Sequence, residues 1–119
     1  MITIRNIVVE HVYLACGKTD MRKSIDGLAS IIHQNFKLNP YGRDIFLFCG
    51  GRSDRLKALL WDGNGFLLLY KRLDEGRFKW PRSQQEVLDL SEQQLRWLLE
   101  GLSIEQPGAI KNTHRTTTT

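Results

Sequence analysis

The sequence has few cysteines and histidines, and they are not grouped. Cys16 and Cys49 are isolated and form no CxxC pair, and the histidines His11, His33 and His114 are scattered. Zinc modules need closely spaced ligands, and small disulfide scaffolds need several paired cysteines. The sequence therefore predicts two buried, reduced thiols, with neither a metal site nor a disulfide framework.

Long apolar runs are also missing. None is longer than the run from Phe66 to Tyr70, which has the length of a strand and falls far short of the roughly 20 residues that cross a bilayer. The N-terminal residues are apolar in patches, but Arg5, Glu10 and His11 interrupt them, so they do not resemble a signal peptide. We therefore expect a cytoplasmic protein that has no membrane partner.

The sequence contains no recognised catalytic motif. It has no HExxH sequence, no serine or cysteine nucleophile motif and no glycine-rich dinucleotide fingerprint. The segment GGRSDRLK at residues 50–57 resembles an anion-binding loop only loosely, because it lacks the GKS or GKT ending of a P-loop. A two-metal nuclease needs converging carboxylates, and most of the nearby ones are better explained as turn residues. These carboxylates are Asp54, Asp62, Asp74 and Glu75. The sequence therefore predicts a protein that is not an enzyme, has no catalytic residue and binds no cofactor.

Positive charge is concentrated in the middle of the chain. The 119 residues have a net charge of +4, and residues 52–82, which we call the basic band, hold eight basic and four acidic side chains. The candidate DNA-binding residues of the band are Arg52, Arg55, Lys57, Lys71, Arg72, Arg77, Lys79 and Arg82. A clustered positive field attracts polyanions, of which nucleic acid is the commonest in a cytoplasm. The alternative is a solvated face that keeps the protein soluble.

Several short segments have the composition of strands. The predicted strands cover residues 8–15, 45–49, 56–61, 66–72 and 86–90. The unbroken apolar run IFLFC predicts a central strand that is covered on both faces. Asp-Gly-Asn-Gly between the third and fourth strands supplies the positive-φ residues of a tight hairpin.

Two segments have helical patterns. Apolar residues at helical spacing predict a helix over residues 20–36, capped by Thr19 or Asp20. A second helix is predicted over 91–101, because Ser91 and Gln94 match a capping box. Together these elements predict an α+β fold, with an antiparallel-rich sheet of about four to five short strands and two packed helices. This single domain is expected to span residues 1–102, followed by a flexible tail at 103–119.

The predicted hairpin brings two arginines together. If Trp61 pairs with Phe66, then Arg55 falls opposite Arg72, and two facing arginines repel each other unless an anion or an acid joins them. The pairing indicates a phosphate site, although Asp54 or Asp74 could satisfy the arginines instead.

Aromatic residues accompany the charge. The segment KRLDEGRFKWPR at residues 71–82 interleaves basic side chains with Phe78 and Trp80, which either stack on a base or belong to the core. Trp97 lies off the apolar stripe of the second helix, and it either returns to the core or anchors a partner. Trp80 and Trp97 are therefore the candidate partner-binding residues.

Three segments resemble a known family in the family's order. The run DRLKALLWDGNGFLLLYKRLDEGRFKWP at 54–81, the run TDMRKSIDGLA at 19–29 and the run LSEQQLRWLLEGL at 90–102 resemble TnpB-type accessory proteins. These proteins come from the second open reading frame of the insertion-sequence-66 family of mobile elements. The resemblance implies a small bacterial protein that is encoded beside a larger transposase and needed for efficient transposition. It implies no catalytic residues.

Two functions follow from the charge pattern and the resemblance. The first is a non-catalytic accessory protein for transposition that binds DNA through the basic band. The alternative is a protein adaptor that binds the transposase or another element-encoded protein without contacting DNA. Trp97, the acidic C-terminal part and the lack of a recognised DNA-reading motif favour the adaptor.

Overall fold

The computed structural model describes residues 2–82, 86–108 and 110. Within these residues, seven strands, two α-helices and one π-helix follow each other. They are β1 (Ile2–Ile4), β2 (Ile7–Val9), β3 (His11–Ala15), α1 (Ile25–Ser30), the π-helix Ile31–Asn35, β4 (Asp44–Cys49), β5 (Arg55–Trp61), β6 (Phe66–Arg72), β7 (Val87–Leu90) and α2 (Glu92–Leu99). This α+β composition confirms the predicted fold class.

The main sheet has five strands in the order β6-β5-β4-β3-β7. Its β3–β4 pair is parallel and its other three pairs are antiparallel. The middle strand is β4, and five of its six residues are buried. The prediction of a central strand over the IFLFC run is therefore confirmed, because only a strand covered on both faces buries consecutive apolar residues.

The β5–β6 hairpin has the predicted register. Trp61 pairs with Phe66, and Arg55 pairs with Arg72 at the open end. The Asp62 carboxylate accepts hydrogen bonds from the amide of Asn64 at 3.3 Å and from that of Gly65 at 3.1 Å. These bonds fix the turn, as expected of aspartate in a tight loop.

The predicted strand over residues 8–15 is two strands. β2 ends at Val9 and pairs with β1, whereas β3 begins at His11 and pairs with β4 and β7. The prediction of one strand was wrong because both pieces share the same β-branched composition, although they belong to different sheets. Arg5 and Asn6, with φ values of 50° and 67°, form the tight turn between β1 and β2.

The first helix starts later than predicted. Asp20 accepts a hydrogen bond from the Arg22 amide at 2.9 Å, which closes a turn before the helix begins at Ile25. Residues from Ile31 onward are π-helical, and the Phe36 amide donates to the Ile31 carbonyl at 3.2 Å. The predicted span of 20–36 was therefore wrong at its beginning and in the type of helix at its end.

The second helix begins as predicted. Ser91 accepts from the Gln94 amide at 3.1 Å, and the Gln94 side chain accepts from the Ser91 amide at 2.9 Å, which completes the capping box. Helix α2 ends at Leu99, two residues before the predicted end. Ile104 belongs to the core, so the domain packs beyond residue 102, where the sequence placed the start of a tail. Residues 109 and 111–119 of that tail lie outside the described residues.

The core has two parts, one on each face of the main sheet. One face packs against α1 and the π-helix through Leu28 and Ile32. The other face packs against Phe78, Trp80 and Leu98, which come from the segment after β6 and from α2. Both cysteines are free and buried, as predicted. In the described part of the chain, no helix has the length and apolar character that crossing a membrane requires.

Candidate nucleic-acid interface

Two arginines face each other at the open end of the β5–β6 hairpin. Arg55 and Arg72 are directly opposite, and opposite residues of an antiparallel pair project from the same face. Among the described residues, Arg72 makes no ion pair. Arg55 Nε lies 3.9 Å from Asp54 Oδ1, and neither of these buried atoms has a hydrogen-bond partner. The neighbouring carboxylate therefore satisfies one arginine only loosely and does not join the two.

A pocket opens beside Arg55. Its volume is about 480 Å³. The pocket is lined by Lys18, Thr19, Asp20, Met21, Gly50, Gly51, Arg52, Asp54 and Arg55. We call it the cationic pocket, because three of these residues are basic and one of its two carboxylates, Asp20, is already occupied. Arg22 holds that carboxylate at 2.8 Å and lowers the pKa of Asp20 well below its usual range.

The cationic pocket contains a residue that sequence reasoning missed. Lys18 precedes the predicted helix and lies far along the chain from the basic band. The Thr19 amide donates to the Cys49 carbonyl at 2.8 Å, which brings the Lys18 loop beside the loop after β4. These loops lie together because β3 and β4 pair in parallel, and no local sequence pattern predicts that pairing.

The loop between β4 and β5 needs a glycine at one position. A β-carbon on Gly50 would lie 2.7 Å from Met21 Cγ, closer than real contacts allow. The guanidinium of Arg82 donates to the Gly50 carbonyl at 2.6 Å and to Ser53 Oγ at 2.7 Å. Arg82, predicted to bind DNA, therefore fixes this loop.

Lys57 also has partners within the fold. Its ammonium donates to the Lys23 carbonyl at 2.8 Å, just before α1, and lies 5.9 Å from the centre of the Tyr70 ring. These contacts tie the sheet to the helix. The lysine charge is therefore engaged within the protein.

Three further basic residues of the band are exposed: Lys71, Arg77 and Lys79. Lys71 is opposite Leu56, so it projects from the face that carries Phe78 and Trp80 and lies on the other side of the sheet from Arg72. The basic band therefore divides between the two faces of the sheet.

The two candidate partner-binding tryptophans differ. Trp80 is buried, and its Nε1 donates to the Ala15 carbonyl at 2.8 Å. Trp80 therefore belongs to the core, which was one of the two roles considered from the sequence. Its ring is not exposed to a partner. Trp97 is half-buried, and Leu99 and Leu102, which follow it in the chain, are 42% and 40% exposed.

At the opposite end of the main sheet, His11 Nδ1 lies 2.9 Å from Asp89 Oδ2. This hydrogen bond raises the pKa of His11 above its ordinary value. Burial likewise raises the pKa of Asp44. Among the described residues, no group of three or more histidine, cysteine, aspartate or glutamate side chains could hold a metal ion.

These features define a small α+β protein with a cationic surface at one end of its sheet. A family model described as IS66 Orf2 like protein matches residues 10–109, and the chain belongs to this family. The resemblance drawn from its sequence runs is thereby confirmed. Membership in the family supports an accessory role in the transposition of an insertion sequence.

Two curated relatives come from Sinorhizobium fredii. The chain is 40% identical to the uncharacterized protein y4hO over 96 residues, which cover 81% of this chain and 84% of the relative. It is 33% identical to the uncharacterized protein y4jC over 91 residues, which cover 76% and 78% of the two chains. No solved structure matches the chain.

Proposed function

We propose that this protein is a non-catalytic accessory factor of transposition that binds the DNA backbone through the open end of the β5–β6 hairpin. The observation that carries the proposal is the direct pairing of Arg55 with Arg72, which no carboxylate of the described residues joins. Like charges directly opposite on neighbouring strands cost stability. A phosphate bound between them would remove this repulsion and form charge-assisted hydrogen bonds with both guanidinium groups.

The cationic pocket extends this surface. Arg52 and Lys18 line it beside Arg55, and its second carboxylate, Asp54, lies 3.9 Å from Arg55 Nε. Bidentate recognition of phosphate suits arginine especially well. We therefore assign the main phosphate contacts to Arg52, Arg55 and Arg72, with Lys18 at the rim.

The other basic residues have different roles in this proposal. Lys57 and Arg82 donate to backbone carbonyls of the fold, so they support the surface instead of contacting DNA. The exposed side chains of Lys71, Arg77 and Lys79 add to the long-range attraction of a polyanion.

Salt-dependent binding to duplex DNA tests the proposal. Each phosphate contact adds roughly 0.9 to the slope of log K against log salt. The double variant Arg55→Gln with Arg72→Gln should therefore reduce the slope by about two. The control pair Arg43→Gln with Arg96→Gln removes the same charge elsewhere and should leave the slope nearly unchanged. Equal effects of the two pairs, or no retention of DNA at low salt, would contradict the proposal.

A protein adaptor is the second candidate, and one observation favours it. Trp97 is half-buried, and the Leu102 amide donates to the Trp97 carbonyl at 2.8 Å, which brings the exposed Leu102 back beside the tryptophan. Aromatic residues surrounded by apolar side chains are typical anchors of protein interfaces. An adaptor would use this surface to bind the transposase.

Co-purification with the transposase of the same element tests this candidate. Trp97→Ala should abolish association, whereas Tyr41→Ala, at an exposed aromatic residue elsewhere on the surface, should not. The arginine pair that reduces DNA binding should leave association intact. Association that survives Trp97→Ala would exclude this surface as the adaptor site.

A further inference from the structure

Strand β6 is an edge of the main sheet. The hydrogen bonds at its two ends establish which of its residues bond to β5 and which face outward. The Asp62 amide donates to the Gly65 carbonyl, and the Leu73 amide donates to the Asp54 carbonyl. Hydrogen-bonded pairs alternate along an antiparallel ladder, so the odd-numbered residues of β6 bond to β5. The backbone groups that face outward belong to Phe66, Leu68, Tyr70 and Arg72.

This edge is long and mostly apolar. Its seven residues begin with five apolar ones, FLLLY, and the side chains of Leu69 and Tyr70 are 37% and 53% exposed. The other edge, β7, has only four residues, one of which is Asp89. Proteins usually protect their edges with short strands, charges or prolines. The β6 edge has charges only at its end, so it is suited to strand addition.

We propose that a second copy of this chain pairs with the β6 edge, antiparallel and centred on Leu69. In this register Lys71 faces the partner's Leu67, and Arg72 faces the partner's Phe66. The basic ends of the two strands then lie apart. A parallel arrangement would instead place Lys71 and Arg72 beside their own copies, which like charges disfavour.

The same register also satisfies the backbone. Phe66 pairs with the partner's Arg72, and Leu68 pairs with the partner's Tyr70. Each outward-facing backbone N–H or C=O of one strand therefore has a hydrogen-bond partner on the other strand. Leu69 then lies in a non-hydrogen-bonded pair with the partner's Leu69, where the two Cα atoms are about 4.5 Å apart. The exposed leucines cover each other, and the two five-stranded sheets become one continuous sheet.

This dimer does not depend on DNA binding, and its mass in solution tests it directly. We expect sedimentation equilibrium of the full chain without DNA to give twice the chain mass of 13.8 kDa. Leu69→Lys places two lysines opposite each other at the centre of the paired strands and should abolish the dimer. Asn64→Lys adds the same charge at the turn and should not. A wild-type chain that stays monomeric, or a dimer that Leu69→Lys leaves intact, would overturn the proposal.

Cross-linking tests the register even if Leu69→Lys fails to fold. With oxidised glutathione, Leu69→Cys should form an interchain disulfide, since its Cα separation suits one. In the proposed register, the Cα atoms of two Lys71 residues are about 14 Å apart, so Lys71→Cys should not cross-link. Equal cross-linking of the two variants, or none with Leu69→Cys, would exclude this pairing.

Discussion

The Trp80 indole donates a hydrogen bond of 2.8 Å to the Ala15 carbonyl, which joins the segment after β6 to the end of β3. The ring is buried with Phe78 in one part of the core. The tryptophan therefore supplies both apolar area and the one polar contact that its position requires.

Replacing Trp80 should destabilise the protein strongly. Trp80→Ala removes the ring and leaves the Ala15 carbonyl unpaired, so it should lower the free energy of unfolding by about 3–5 kcal/mol. Trp80→Phe keeps most of the apolar area and should cost about 1–3 kcal/mol through the lost hydrogen bond. Urea denaturation followed by circular dichroism measures both changes. Trp97→Ala, at a half-buried site, should cost less, and an equal loss would contradict this account.

Gly50 and Gly51 should respond differently to the same substitution. Gly50→Ala forces a β-carbon against Met21, and such overpacking costs about 1–3 kcal/mol, with Met21 able to move partly aside. Gly51→Ala meets its nearest atom, Lys18 Cδ, at 3.7 Å and should be tolerated. Thermal unfolding of the two variants checks this prediction. A Gly51→Ala protein that melts as low as Gly50→Ala would refute it.

His11 should titrate above its ordinary range because Asp89 accepts its hydrogen bond. A raised pKa in the folded state means that the stabilisation is fully present below the ordinary histidine pKa of about 6.5 and is lost as the pH rises through the folded value. Asp89→Asn should lower the pKa of His11, as followed by NMR. Glu10→Gln should lower it less, because Glu10 acts through charge alone. Equal shifts would argue against the hydrogen bond as the main cause.

The buried cysteines should react slowly with thiol reagents. Burial raises the pKa of Cys49 to about 11 and also raises the pKa of Cys16, so few thiolates are present near neutral pH. We expect a disulfide reagent at pH 8 to label the native chain much more slowly than the chain in denaturant. Rapid labelling of the native protein would show that the cysteines are accessible.

Local chemistry made much of the scaffold predictable. The Asp62–Gly65 turn fixed the hairpin register, and with it the pairing of Arg55 with Arg72. Ser91 and Gln94 likewise marked the beginning of α2, because a capping box satisfies its own backbone donors.

Features that depend on distant pairing could not be read from the sequence. Lys18 reaches the cationic pocket only because β3 and β4 pair in parallel. The break at Glu10 separates two segments of the same composition that enter different sheets. The π-helix after Ser30 likewise depends on how its residues pack against the sheet and has no distinct composition.

The strand order has a consequence for how the chain folds. The strands β4, β5 and β6 follow one another and pair through short loops, so their contacts are local and should form early. β7 instead pairs with β3, and the His11–Asp89 contact spans 78 positions of sequence. Closing such a long loop is entropically costly, so we expect β7 to dock last, after the Trp80 segment has crossed the sheet. Until then β3 is itself an unprotected edge, so the incompletely folded chain exposes a further edge at which strands can mispair.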